Sequence, residues 1–288
     1  MHIELTFLMS RRFIKVTLFH ENLFHFPLDI LPNCFLIVSH KKVRTFQKVL
    51  YTTIIKNERG KGMKIIIING SYRKNGATAL ILHEMYQKLG TYPNVEIQFY
   101  NVADLNLKYC VGCCKCYESG KCIFNDDIEN LSKNIETADG IIIGSPTYAS
   151  NVSGQMKVLI DRGHFVIEQL LFRKYAVSIS TYENYGGKDT SKVLNKLLSY
   201  SGATISNSLF IKVPFSANPL SDSKTQNRVN RAMDKFYNDI YKQKPYFCQK
   251  IKHFIIFRFG IFPFVIKKGS QYQGVVSKWK KQGIKVLI

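Results

Sequence analysis

From Met63 onward, short apolar runs and amphipathic stretches alternate along the chain, and this alternation limits the folds open to it more than any other feature. Residues 64–68 are dominated by isoleucine, too few for a helix, and closed by Asn69-Gly70; such a run reads as a buried strand. Residues 78–89 place Leu82, Met85 and Leu89 three and four positions apart and stop at Gly90, which predicts an amphipathic helix. The pattern continues with strands at 95–102, 140–144, 175–180 and 204–213 and helices at about 126–137, 154–171, 189–200 and 222–242. Strand–helix alternation with mostly short connections predicts an α/β fold whose parallel sheet is covered on both faces. Five strands and five helices suit the doubly wound order 2-1-3-4-5. That order opens a ligand crevice at the carboxyl ends of the strands, around the switch point between strands 1 and 3.

Before Met63 apolar and polar residues mix without a sustained period. Glu58-Arg59-Gly60-Lys61 would also be encoded by purine-rich codons just ahead of Met63. Residues 1–62 are therefore expected to be a mis-extended reading frame or a poorly ordered extension, ahead of a domain at 63–240 and a tail at 241–288. The net charge of +21 suggests a nucleic-acid partner at first sight, but the charge is unevenly spread. Residues 63–240 carry 20 basic and 16 acidic side chains, whereas residues 241–288 carry 11 basic and none acidic. A nearly balanced central domain argues against polyanion chemistry there, and no specific nucleic-acid partner is expected. No stretch reaches the ~18 uninterrupted apolar residues of a membrane span. Ser10-Arg11-Arg12 lacks a following small-residue cleavage site, so the expected compartment is the cytoplasm.

Three loops fall at the predicted carboxyl edge. After strand 1, Asn69-Gly70-Ser71-Tyr72-Arg73-Lys74-Asn75-Gly76-Ala77-Thr78 leads into a helix. Its glycines permit close backbone approach, Ser71 and Thr78 can donate hydrogen bonds, and Arg73 adds a charged fork at a helix N-terminus, where an anion is favoured. The plainer reading is a turn and helix cap. After strand 3, Ser145-Pro146-Thr147-Tyr148-Ala149-Ser150-Asn151-Val152-Ser153-Gly154 combines a stiff exit from the sheet, an aromatic surface and several backbone donors. A planar heteroaromatic ring needs that mixture, although an ordinary solvated loop is the alternative. After strand 4, Thr181-Tyr182-Glu183-Asn184-Tyr185-Gly186-Gly187 lies at the same edge. Asp161 and Arg162 read as solvated charges on a helix surface.

Gly-Ser-x-Arg-x-x-Gly-x-Thr after strand 1 and Ser-Pro-Thr-Tyr…Gly-x-x-Lys after strand 3 resemble the NAD(P)H-dependent FMN reductase branch of the flavodoxin superfamily, over about residues 63–240. The resemblance implies a flavodoxin-like fold, with the FMN phosphate on Ser71, Arg73, Asn75, Gly76, Ala77 and Thr78. Ala77, where relatives often carry Asn or Ser, offers only its backbone N–H. The resemblance also implies an isoalloxazine set against Pro146, Thr147 and Tyr148 and against Asn151, Val152, Ser153 and Gly154, with further contacts at Thr181, Gly186 and Gly187.

Five of the seven cysteines fall between Cys110 and Cys122, a bunching that suits a metal or redox site better than spread disulfides. Cys110-x-x-Cys113-x-x-Cys116-x5-Cys122 supplies four thiolate ligands at a spacing that can wrap a compact cubane. It resembles the cysteine run of iron–sulfur flavoproteins. Thiols without a cluster, structural or redox-active, are the alternative; Cys114 reads as extra, and Asp126 and Asp127 as caps of the next helix. In the basic, aromatic tail the favoured roles are packing or dimer contact, with membrane contact a lesser reading, and His253 reads as a packing or surface residue.

The expected function is FMN-dependent oxidoreduction with NAD(P)H as co-substrate and a quinone, flavin, or similar small-molecule or protein acceptor, in a homo-oligomer. The alternatives are an iron–sulfur flavoprotein electron carrier with a 4Fe–4S cluster and a cysteine-based redox sensor. Hydride transfer to a flavin needs no side-chain acid or base, so no catalytic residue is assigned.

Overall fold

The computed structural model describes residues 3–9, 12–18 and 62–285. The first unit, up to Lys61, contains an antiparallel pair, β1 (Ile3–Met9) and β2 (Arg12–Leu18), with Ile3 opposite Leu18 and Met9 opposite Arg12. The rest of the expected N-terminal extension lies outside the described residues.

The second unit, from Gly62, is built on a five-stranded sheet of β3 (Met63–Asn69), β4 (Val95–Asn101), β5 (Gly140–Pro146), β6 (Tyr175–Tyr182) and β7 (Thr204–Lys212). All its strands are parallel in the order β4-β3-β5-β6-β7, the 2-1-3-4-5 order expected. The isoleucine run explains the layering. Alternate side chains of a strand point to opposite faces, and Ile65, Ile66, Ile67 and Ile68 are all fully buried. Ile65 and Ile67 pack with Leu82 and Met85 of α1 (Ala77–Gly90) and with Met233 and Phe236 of the long helix Ser223–Tyr241. Ile66 and Ile68 pack on the other face, against helices Ile128–Thr137 and Gly154–Arg162.

In chain order the remaining helices are α2 (Lys115–Ser119), α3 (Ile128–Thr137), α4 (Gly154–Arg162), α5 (Gly187–Tyr200), α6 (Ser223–Tyr241), α7 (Phe247–Ile256), α8 (Phe262–Lys267) and α9 (Gln273–Lys281). Among the described residues no helix is long and apolar enough to cross a membrane.

One segment departs from the sequence reading. The helix expected at 154–171 ends at Arg162. His164 and Gln169 take left-handed φ values of 49° and 55°, and Phe165 folds back onto Gly163. Phe165, Leu170 and Leu171 are nevertheless buried, so the apolar recurrence persists along an irregular chain and mimics a longer helix. The tail packs on the sheet domain: residues 241–285 belong to the same compact unit, and Ile261, Val265, Tyr272, Val275 and Ile284 surround a fully buried Trp279, whose indole N–H donates to Ile167 O at 2.9 Å. The tail also touches the cysteine loop: Tyr272 stacks on Tyr117 at 4.8 Å, and a Cβ placed on Gly274 would lie 2.4 Å from Gly120 N. His253 is a packing residue, 2.6 Å from Gln169 Oε1, and burial lowers its pKa.

Candidate functional site

A cleft of about 530 Å³ opens at the carboxyl edge of the sheet, within the size range of small-molecule sites. Its first wall is the β3–α1 loop. Asn69, fully buried, accepts from Ser71 N (3.0 Å) and donates to Asn101 Oδ1 (2.9 Å), which pins the start of the loop. The Ser71 hydroxyl accepts from Arg73 N at 3.1 Å, and Gly76 N donates to Arg73 O at 3.0 Å. The turn thus folds tightly into α1, whose N-cap is Gly76. No side chain caps the first turn and no acidic residue sits in it, so its free N–H groups and the positive end of the helix dipole face the cleft. Gly70 is required by close approach: a Cβ there would meet Met156 Cε at 2.5 Å and Gly144 O at 3.0 Å.

The second wall follows β5. Thr147 N donates to Thr181 O (2.8 Å), and Tyr148 and Asn151 exchange backbone hydrogen bonds of 2.9 and 3.0 Å around Ala149 and Ser150. Both of these residues have left-handed φ, 47° and 61°, the geometry of a tight two-residue reversal. The reversal holds Tyr148 half exposed at the cleft. The Thr147 hydroxyl beside it is buried and has no hydrogen-bond partner within the protein. Thr78 Oγ1 and Thr181 Oγ1 lie 2.7 Å apart and tie the first wall to the third, which follows β6. A fourth wall, residues 213–218 after β7, brings Phe215 under the Arg73 guanidinium, 5.3 Å from ring centroid to Cζ.

Of the residues expected to hold a flavin, Ser71, Arg73, Asn75, Gly76, Ala77, Thr78, Pro146, Thr147, Tyr148 and Thr181 line this cleft. Asn151, Val152, Ser153, Gly154, Gly186 and Gly187 are not among its lining residues. Val152 and Ser153 are buried, and Ser153 caps α4 by accepting from Met156 N while donating to Gly70 O at 2.5 Å. Gly186 backs the reversal, its φ of 81° leaving no room for a Cβ, which would meet Ser150 Cα at 2.7 Å. Sequence reasoning missed the β7 wall, although Val213-Pro214 leaves a strand at the same edge and could have been found by the rule that located the other loops.

The cysteines form a second feature. Cys110, Cys113, Cys114, Cys116 and Cys122 are free thiols and line one recess with Phe124, Arg162 and His164. Cys114 sits at the N-cap of α2 with φ 58°. Burial, the Glu168 charge and the neighbouring Cys122 and Cys113 push the Cys116 thiol up to about 12. Among the described residues no three His, Cys, Asp or Glu side chains converge as ligands of one metal ion. A cubane is held differently, by one thiolate at each of four irons.

Arg162 is where the structure corrects the sequence reading most. Expected in solvent, it is fully buried, and it donates to Asp126 through two bonds of 2.8 and 2.9 Å, to Lys108 O and to Cys122 Sγ at 3.4 Å. Its cation lies 5.1 Å from the Phe124 ring. Asp126, expected as a helix cap, also accepts from Lys108 N (3.0 Å) and so ties both ends of the cysteine loop to α4. Burial raises the Asp126 pKa, but the Arg162 fork and backbone N–H groups outweigh it and hold the carboxyl below its usual range. Asp161 is exposed as expected and pairs with Lys157.

The family model described as NADPH-dependent FMN reductase matches residues 63–217. An iron-sulfur flavoprotein of Clostridioides difficile (strain 630) is 38% identical over 225 residues, covering 77% of this chain and all of its own length. An iron-sulfur flavoprotein of Methanocaldococcus jannaschii is 38% identical over 132 residues, 45% of this chain and 67% of its own. Among solved structures, an NADH:FMN oxidoreductase aligns with a TM-score of 0.49 at 21% identity, over 60% of this chain and 88% of its own.

Proposed function

The chain belongs to the NADPH-dependent FMN reductase family, and on that premise we propose that it is an oxidoreductase that binds FMN in the carboxyl-edge cleft, draws electrons from NAD(P)H and passes them to a quinone, flavin or similar acceptor. In this reading the four-cysteine recess holds a 4Fe–4S cluster. When bound, FMN supplies hydride and single-electron transfer and the cluster supplies single-electron transfer.

The observation that carries the flavin assignment is the uncapped α1 N-terminus beside Arg73, facing the same cleft as the partnerless Thr147 hydroxyl. Free N–H groups and a guanidinium fork are complementary to a phosphate dianion. Thr147 has a hydrogen bond to give, and Tyr148 and Phe215 offer flat apolar cover. These residues bind and orient; none is assigned a proton to move. In the recess, Cys110, Cys113, Cys116 and Cys122 are the donor set, and the relatives named iron-sulfur flavoproteins support that use of them. Arg162 holds Cys122 in place, and its charge offsets negative charge gathered on the thiolates. Cys114 is left outside the set, as its N-cap position turns it into a separate contact with Gly112 O.

Anaerobic purification with flavin, iron and sulfide assay tests the reading. FMN together with about four irons per chain supports it. Flavin without iron would reduce it to a simple FMN reductase, and absence of both would defeat it. Cys116→Ala should abolish cluster absorption and leave flavin bound.

A further inference from the structure

Among the described residues, one helix face of the packed tail has no partner. α7, a π-helical turn (Phe257–Ile261) and α8 follow one another without a break from Phe247 to Lys267. One side turns inward, where His253 meets Gln169 and Phe257 and Ile261 pack with Trp279. The other side carries Ile251, Phe254, Ile255 and Phe259, all exposed, with Phe259 at 71%. At 100° per residue Ile251, Phe254 and Ile255 of α7 span an arc of about 100°, and exposed Phe259 follows in the π-helical turn. Arg258, also exposed, lies in the π-helical turn, and Lys250 and Lys252 flank the two edges of the arc.

We propose that this face docks on an anionic lipid bilayer, with the helix lying in the plane of the interface. Apolar side chains in the centre and lysines at both margins are the arrangement such a surface selects, because the lysine stems lie along the acyl boundary while their ammonium groups reach the headgroups. Charge separates the candidate occupants. Residues 241–288 hold 11 basic and no acidic side chains, so a second copy on the same face would set like charges against each other, whereas acidic headgroups complement them. None of the face residues lines the cleft or the cysteine recess, so docking is independent of the flavin and cluster assignments.

The test is cosedimentation of the full chain with vesicles of phosphatidylcholine alone or of phosphatidylcholine and phosphatidylglycerol in equal parts. The protein should pellet with the mixed vesicles, stay in solution with the neutral ones, and be released by salt. Lys252→Gln should lower partitioning about fivefold, and Ile255→Ser with Phe259→Ser at least about tenfold. Lys252 is solvent-exposed and carries the test if the apolar double variant fails to fold. Pelleting with neither vesicle, equal pelleting with both, or unchanged partitioning of the lysine variant overturns the proposal. So does a lipid-free dimer that Phe259→Ser converts to monomer, which would assign the face to a second copy.

Discussion

Arg162 and Asp126 form a two-pronged ion pair, 2.8 and 2.9 Å, with side chains only 1% and 0% exposed. One partner ends a helix on one face of the sheet and the other closes the cysteine loop, so the pair anchors that loop to the sheet's covering layer. Breaking it should be costly in a way that removing it whole is not.

Arg162→Ala leaves a buried carboxylate unpaired and should destabilise the fold by about 3–5 kcal/mol, while Arg162→Ala with Asp126→Ala should cost less than the sum of the single changes. Urea denaturation of the four proteins measures the coupling. The sign with pH follows from the depressed Asp126 pKa: its contribution is complete above the unfolded carboxyl value and fades as pH falls through the lower folded one. The single variants should therefore converge on the wild type only in strong acid.

Thr147→Val separates a ligand contact from a structural one. The hydroxyl has no protein partner, so its removal should leave the flavin-free protein as stable or slightly more stable. Flavin affinity, by fluorescence titration, should fall roughly tenfold with loss of one hydrogen bond. Reduced stability with unchanged affinity would count against the assignment.

Arg73→Ala should weaken FMN binding by at least about tenfold through loss of a charge-assisted phosphate contact. Because the side chain lies over exposed Phe215 and is tied to nothing buried, thermal unfolding of the flavin-free protein should barely change.

Lys174 donates to the carbonyls of Glu136 and Ala138 at the end of α3, and burial lowers its pKa to about 8. Between that value and the ordinary lysine value the unfolded chain binds more protons, so this group makes stability rise with pH across the window. Lys174→Met should remove the rise, seen as a difference between the two denaturation midpoints that moves in the wild type's favour from pH 7 to 10.

Gly274→Ala would force a methyl group against the backbone of Gly120, a contact that cannot yield by rotating a side chain. Overpacking of this kind typically costs about 1–3 kcal/mol. The loss should appear locally, as faster amide exchange in α2 and α9 and reduced iron retention, with flavin binding intact.

How much of this was legible beforehand differs by element. The isoleucine run announced a strand covered on both faces, since four consecutive apolar side chains cannot all point to one side. The loop ending at Gly76 announced a helix start at the sheet's carboxyl edge, and α1 does begin there, uncapped, at the cleft. Residues 154–171 misled: helix period and burial continue past Arg162 while the backbone does not. The β7 wall was reachable by the same edge rule and was passed over.

The order of apolar and polar residues by itself determined the strands, the three loops and the gathered cysteines, because each of these is set by spacing within a few turns of chain. Only the tertiary structure decided that Arg162 is buried, that Asp126 faces it across 36 residues, and that the basic tail packs back beside Cys116 while turning Phe259 outward. The physical reason is that a charge or an aromatic ring carries no local sign of whether it is buried. Its environment is set by side chains distant in sequence, and only folding brings them to it.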